Sequence, residues 1–224
     1  MNERSKHLIF EPAVQETLMD YIVRLYAQET DSQREISRST TANNLPQINL
    51  RPEEGSLLYF LASLVKVERA IEIGTLAGYS ASWIARALPE NGKLISLEAD
   101  EKHARVARQN MERAGFADKV EIRVGDAHDI LPTLEGPFDM AFLDADKTGY
   151  PNYLSWALEH MRPGGLIAAH NAFQHGRITL DKSSPEYSEN IAAMQAFNQQ
   201  VADEERLLGN IIPVGDGLLV AMVR

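Results

Sequence analysis

The sequence predicts a doubly wound α/β fold. Its expected form is a mostly parallel seven-stranded sheet with helices on both faces, a C-terminal β-hairpin and an N-terminal helical extension. Three observations carry that expectation. From residue 69 onward, five short apolar runs alternate with segments of helical spacing. Stops rich in glycine or proline separate many of these segments. Polar residues close the successive runs, and the ends of parallel strands are where open sheets bind ligands.

The extension comes first. Residues 11 to 45 are polar and rich in Glu, Gln, Ser and Thr, with Val14, Leu18, Tyr21, Ile22 and Leu25 at the spacing of one amphipathic helix. A second helix is expected over residues 31 to 40, broken by Asn43-Asn44-Leu45-Pro46. Pro52-Glu53-Glu54 opens a third, with Leu57, Leu58, Phe60, Leu61 and Leu64 as its apolar face. Such a segment covers a pocket, makes a subunit contact or adds to the core. The chain is read as one domain over residues 1–224, with 1–50 as the extension and 51–224 as the ligand-binding core.

Within the core, residues 69 to 73 read as a buried strand, and Gly74-Thr75-Leu76-Ala77-Gly78 as a loop whose backbone can lie close to a ligand. A helix follows over 79 to 88, then a strand over 93 to 97 that ends on Glu98. Residues 101 to 114 form a helix closed by Gly115, and 120 to 124 a strand followed by Gly125-Asp126-Ala127. A short helix includes 130 to 134, and the strand at 138 to 143 ends on Asp144. A helix over 150 to 161 is stopped by Pro163-Gly164-Gly165, and the strand at 166 to 169 ends at His170-Asn171. The last long helix covers 188 to 202, and 207 to 213 and 218 to 223 flank a hairpin turn.

Composition narrows the function. With 44% apolar residues the chain can bury a sizeable core, and the absence of cysteine excludes disulfides, thiol nucleophiles and Cys-ligated zinc. A net charge of -10 argues against broad nonspecific binding to nucleic acid or anionic membranes. The start, MNERSKHLIF, lacks the apolar region of a signal peptide, and no run is long enough to span a bilayer, so a cytoplasmic protein is expected.

The unit of strand, glycine loop, helix, strand and acid is half of a nucleotide-binding fold, with Glu98 placed to take two ribose hydroxyls. Leu76 and Tyr79 stand where a dinucleotide fingerprint has its second and third glycines. Glu72 inside the strand would repel a pyrophosphate but could hold an ammonium group. The expected ligand is a nucleoside joined to an amino acid, and S-adenosylmethionine (SAM) fits.

The blocks IEIGTLAGYS, LEAD, GDA, FLDADK, RPGGLIAAHN and PVGDG, in that order, resemble the small bacterial and plant O-methyltransferases related to catechol and caffeoyl-coenzyme A O-methyltransferases. The resemblance covers nearly all of the chain from about residue 45. It implies a Rossmann-like methyltransferase domain, SAM as methyl donor, a divalent metal, a small vicinal-dihydroxy aromatic as acceptor, and a homodimer. Position by position, it implies donor contacts from Glu72, Gly74, Thr75, Gly78, Tyr79, Ser80, Glu98, Asp126, Ala127 and Asp144. It also implies a metal held by Asp144 with the residues at 170 and 171, and Lys147 as catalytic base.

His170 departs from the family pattern, which has a carboxylate before Asn171. Imidazole suits softer metals than Mg²⁺, so the ion is left open among Mg, Mn, Zn and Co: a softer transition metal bound through Asp144, His170 and Asn171, Mg²⁺ or Ca²⁺ bound weakly, or no metal with His170 as a base. His175 is read as a residue of the loop above the site. Three rivals are weighed. A nicotinamide dehydrogenase is disfavoured by Glu72, and a Ser-His-Asp hydrolase by Ser80 lying too far past its strand. A non-catalytic SAM-binding protein remains, as does a tRNA hydroxyuridine-type O-methyltransferase within the enzyme class.

Overall fold

The computed structural model describes residues 12–224; the expectation about the first ten residues lies outside them. Three helices come first: α1 (Pro12–Tyr26), α2 (Asp31–Ala42) and α3 (Pro52–Leu64). The core alternates as β1 (Arg69–Ile73), α4 (Tyr79–Ala87), β2 (Lys93–Glu98), α5 (Glu101–Ala114), β3 (Val120–Val124), α6 (Ala127–Ile130) and β4 (Phe138–Leu143). It continues as α7 (Tyr150–His160), β5 (Met161–Ala169), α8 (Glu189–Asp203), β6 (Leu207–Ile212) and β7 (Leu218–Val223). The strands form one seven-stranded sheet in the order β3-β2-β1-β4-β5-β7-β6, parallel except where β7 pairs with β5 and β6.

Local chemistry sets the boundaries. Asp100 accepts from the backbone of Lys102 and His103 at the start of α5, and Gly115 ends it at φ 75°. Thr30 and Gln33 cap α2 reciprocally. The interior strands are buried on both faces, which is why they read as nearly continuous apolar runs. Successive side chains alternate between two layers. Ile71 and Ile73 pack with Tyr150, Tyr153, Met194 and Phe197 on one face, while Ala70 joins Trp83, Met111 and Phe142 on the other.

Two expectations need correction. The first concerns β5, which begins at Met161 and not at residue 166. It pairs with Phe138, shifts register across the Pro163-Gly164-Gly165 stretch and rejoins β4 at Leu166. The stop that ends α7 therefore also forms an irregularity inside a strand. The second concerns the apolar faces of the extension. Phe60 and Leu64 on α3, and Val14, Tyr21 and Leu25 on α1, are exposed in the single chain, whereas Leu58 and Ala62 carry the buried contact of α3. Among the described residues, no helix is long and apolar enough to cross a membrane.

Candidate active site

The order of the sheet reverses between β1 and β4, and the carboxyl ends of the strands there open on a cavity of about 1330 Å³. The ladder runs one residue past each strand and thereby places the polar groups. Gly74 N donates to Leu97 O, Asp144 N to Ile73 O, and His170 N to Leu143 O. Met19, Gln47, Ile48 and Asn49 also line the cavity, so the extension covers the pocket.

On the β1–β2 side, Glu72 is fully buried. One carboxylate oxygen accepts from Ser96 Oγ at 2.5 Å, and Oε1 has no hydrogen-bond partner. Burial pushes its carboxyl up to about 7, against the Ser96 hydrogen bond and the nearby Ser80 hydroxyl and with help from the negative charges of Asp144 and Glu98. A buried carboxylate with one free oxygen suits a cationic ligand group. Glu98 accepts from the backbone of Thr75 (3.2 Å), Leu76 (2.7 Å) and Asp100 (2.9 Å), so the acid at the end of β2 straps the glycine loop.

Three loop residues and Tyr79 at the start of α4 have structural work as well. Thr75 turns its hydroxyl to Ser96 and to Leu97 O. Gly78 sits at φ 86° against Met111 of α5, and Tyr79 donates its hydroxyl to Glu29 at 2.8 Å. Gly74, at φ 100°, brings the ends of β1 and β4 together, since a Cβ there would overlap the carbonyl of Asp144. Asp126 caps α6, accepting from His128 N at 2.8 Å, and Ala127 is buried beside it.

On the β4–β5 side, Lys147 Nζ lies 3.3 Å from Asp144 Oδ1 and donates to Tyr150 Oη at 2.6 Å. Burial holds the Lys147 ammonium below its ordinary pKa, against the pull of Asp144, Asp146 and Asp216. His170 sits between two carboxylates: Nε2 is 2.8 Å from Glu54 Oε1, and Nδ1 is 3.3 Å from Asp144 Oδ2. Burial works against its charged form, but contacts with Asp144 and Glu54 outweigh it and push the imidazole up to about 9. Burial likewise disfavours ionised Asp144, and His170 with Lys147 overcome that and hold its carboxyl below the ordinary range.

The three residues expected to hold a metal are adjacent, and each lies beside a charged protein group. Both oxygens of Asp144 face cationic side chains, and both nitrogens of His170 face carboxylates. Asn171, at φ 60°, donates its amide to Asp216 at 3.1 Å. Among the described residues, no group of three or more His, Cys, Asp and Glu could hold an ion. Carboxylate and imidazole are ordinary donors to a divalent ion, but here each lies beside a protein partner. Sequence reasoning missed Glu54, which looked like any acid in a first helical turn, and Asp216, which looked like a turn residue; Asp216 also accepts from His175 N at 2.6 Å.

A donor pocket at the switch point of a parallel sheet, with a free buried carboxylate and a strand-end acid, defines a nucleoside-binding α/β enzyme. Residues 24–224 match the model of a family described as O-methyltransferase. The chain is 42% identical to a catechol O-methyltransferase of Niastella koreensis, over 93% of this chain and 97% of that protein. It is 37% identical to a catechol O-methyltransferase of Mycobacterium tuberculosis, over 83% and 86%. Its fold is similar to the O-methyltransferase TomG from Streptomyces achromogenes in complex with SAM, with TM-score 0.87 and 33% identity over 96% of this chain and 99% of that one. An O-methyltransferase from Bacillus cereus in complex with SAH gives TM-score 0.86 and 34% identity over 93% and 97%. The chain belongs to the O-methyltransferase family and is a SAM-dependent O-methyltransferase.

Proposed function

We propose that this chain methylates one hydroxyl of a small aromatic with two adjacent hydroxyls, and that Lys147 receives the displaced proton. The observation that carries the base assignment is the desolvated Lys147 amine beside Asp144 on the cavity wall. The acceptor class follows from the names of the curated relatives.

When bound, SAM supplies a methyl group on a positively charged sulfur. Glu72 holds the donor's ammonium through its free Oε1, and Glu98 takes the ribose hydroxyls. The backbone of Gly74 and Thr75 lies alongside, and Ser80 steadies Glu72. Asp126 and Ala127 flank the adenine end, while Gly78 and Tyr79 shape the loop through their packing. Lys147, in its neutral form, takes the acceptor hydroxyl's proton as the oxygen–carbon bond forms and the carbon–sulfur bond breaks. Its ammonium then rests beside Asp144 until the proton passes to water.

The test is transfer of labelled methyl from SAM to catechol and caffeic acid, beside a phenol with a single hydroxyl and hydroxylated tRNA. The expected product is a ring ether from the first two acceptors alone. Transfer to the RNA with neither catechol methylated would contradict the proposal.

A further inference from the structure

The acid at the end of β2 has less to offer a diol than its place implies. An ionised carboxylate accepts at about four lone-pair sites, two on each oxygen. Three of those on Glu98 already take backbone N–H groups: Oε2 accepts from Thr75 and Leu76, and Oε1 from Asp100. Oε2 is therefore full, and Oε1 keeps one site. A ribose brings two adjacent hydroxyls to this wall, and each needs a partner once it leaves water.

The side chains that adjoin Glu98 limit where the second partner can come from. Leu76, Leu97 and Ala99 line the cavity there and carry no polar side-chain atom. His103 does. It stands in the first turn of α5, where its backbone N–H donates to Asp100 Oδ1 at 3.0 Å and fixes the residue beside the strand end. Its ring lines the same cavity, with 22% of the side chain exposed. Nδ1 lies 3.6 Å from Glu98 Oε1, beyond hydrogen-bond reach, so neither atom is spent on the other. Among the described residues, neither ring nitrogen has a hydrogen-bond partner.

We propose that His103 is the second half of the ribose subsite: one hydroxyl of the donor's ribose donates to Glu98 Oε1, and the adjacent hydroxyl bonds to the His103 ring. The proposal rests on the donor placement given above. A neutral imidazole has one donor and one acceptor nitrogen, so it serves a hydroxyl in either direction. The division lets one carboxylate do two jobs. Oε2 braces the glycine loop, and Oε1 with the neighbouring ring reads the sugar.

The test measures, by calorimetry, the binding of S-adenosylhomocysteine and of its 2′-deoxy and 3′-deoxy forms to the full-length wild type and to His103→Leu. Each protein is read as a ratio of its own affinities, so a loss of stability common to all three ligands cancels. The wild type should bind each deoxy form roughly threefold or more weakly, the worth of one hydrogen bond. His103→Leu should bind S-adenosylhomocysteine roughly 3- to 10-fold more weakly than the wild type does. Removal of one particular hydroxyl should then cost it no more than about twofold, while removal of the other still costs about threefold or more. His103→Ala is the second variant and should give the same pattern. Variants that penalise both deoxy forms as the wild type does would overturn the proposal. So would variants that penalise neither, since the whole sugar would then have moved. A wild type indifferent to both hydroxyls would instead defeat the placement of the ribose at Glu98, and the proposal with it.

Discussion

The two sides of the cavity are built by different rules. On the β1–β2 side, the free carboxylate of Glu72, the glycine loop and Glu98 come from one strand–helix–strand unit and bond to one another. On the β4–β5 side, Asp144, Lys147, His170, Glu54 and Asp216 come from four separate parts of the chain and meet only after folding. In the function proposed above, donor recognition is therefore local and acceptor chemistry is tertiary. A substitution on the first side should change donor affinity, and one on the second should change turnover.

The largest effect is expected where the two sides touch. Gly74→Ala puts a side chain into the carbonyl of Asp144 at φ 100°, and should cost about 3 kcal/mol or more, read by chemical denaturation. A loss within about 0.5 kcal/mol would show that β1 and β4 need not approach so closely.

Glu72→Gln isolates the donor side. It should weaken SAM binding roughly 30- to 100-fold by calorimetry, the worth of a charge-assisted contact. The pH dependence of the wild type sharpens the point. Because the Glu72 carboxyl is raised to about 7, the free protein holds it partly protonated near neutrality, whereas the donor's ammonium needs the carboxylate. SAM affinity should rise with pH, by up to about tenfold per unit, and level off above about 7.

The same group has an opposite effect on the free protein's stability. Its folded-state pKa lies above the ordinary 4.5, so folding is favoured by the protonated form. That contribution is fully present below 4.5 and is lost as pH rises through about 7, a change of about 3 kcal/mol that Glu72→Gln should abolish. Smallest is Thr30→Ala in the extension, which removes the cap of α2 and should cost about 1 kcal/mol with donor affinity unchanged.

The same division explains what the sequence made legible. Strands buried on both faces and helices closed by Asp100 or Gly115 announce themselves locally, and so do the polar residues Glu98, Asp144 and His170 at or just past the ends of their strands. The extension was harder, because Phe60 and Leu64 have the spacing of a buried face that only tertiary packing could confirm, and in the single chain they face outward. Met161 to Gly165 could not be seen as strand, since proline and two glycines weaken a local strand pattern even where the neighbouring β4 pairs with its first residue. Glu54 left no local trace at all. Its partner is 116 positions away, and nothing near Pro52 distinguishes a clamp on an imidazole from an acid that begins a helix.

The central claim is that Lys147 carries the proton of methyl transfer while the donor is held elsewhere. Lys147→Met keeps the unbranched apolar stem of the side chain and removes the amine. The deciding measurement is its turnover of labelled SAM with catechol, set beside its calorimetric affinity for SAM. The account predicts a kcat roughly 100-fold or more below the wild type with donor affinity within about threefold. Turnover within about threefold of the wild type would contradict it, and would place the base elsewhere in the cavity.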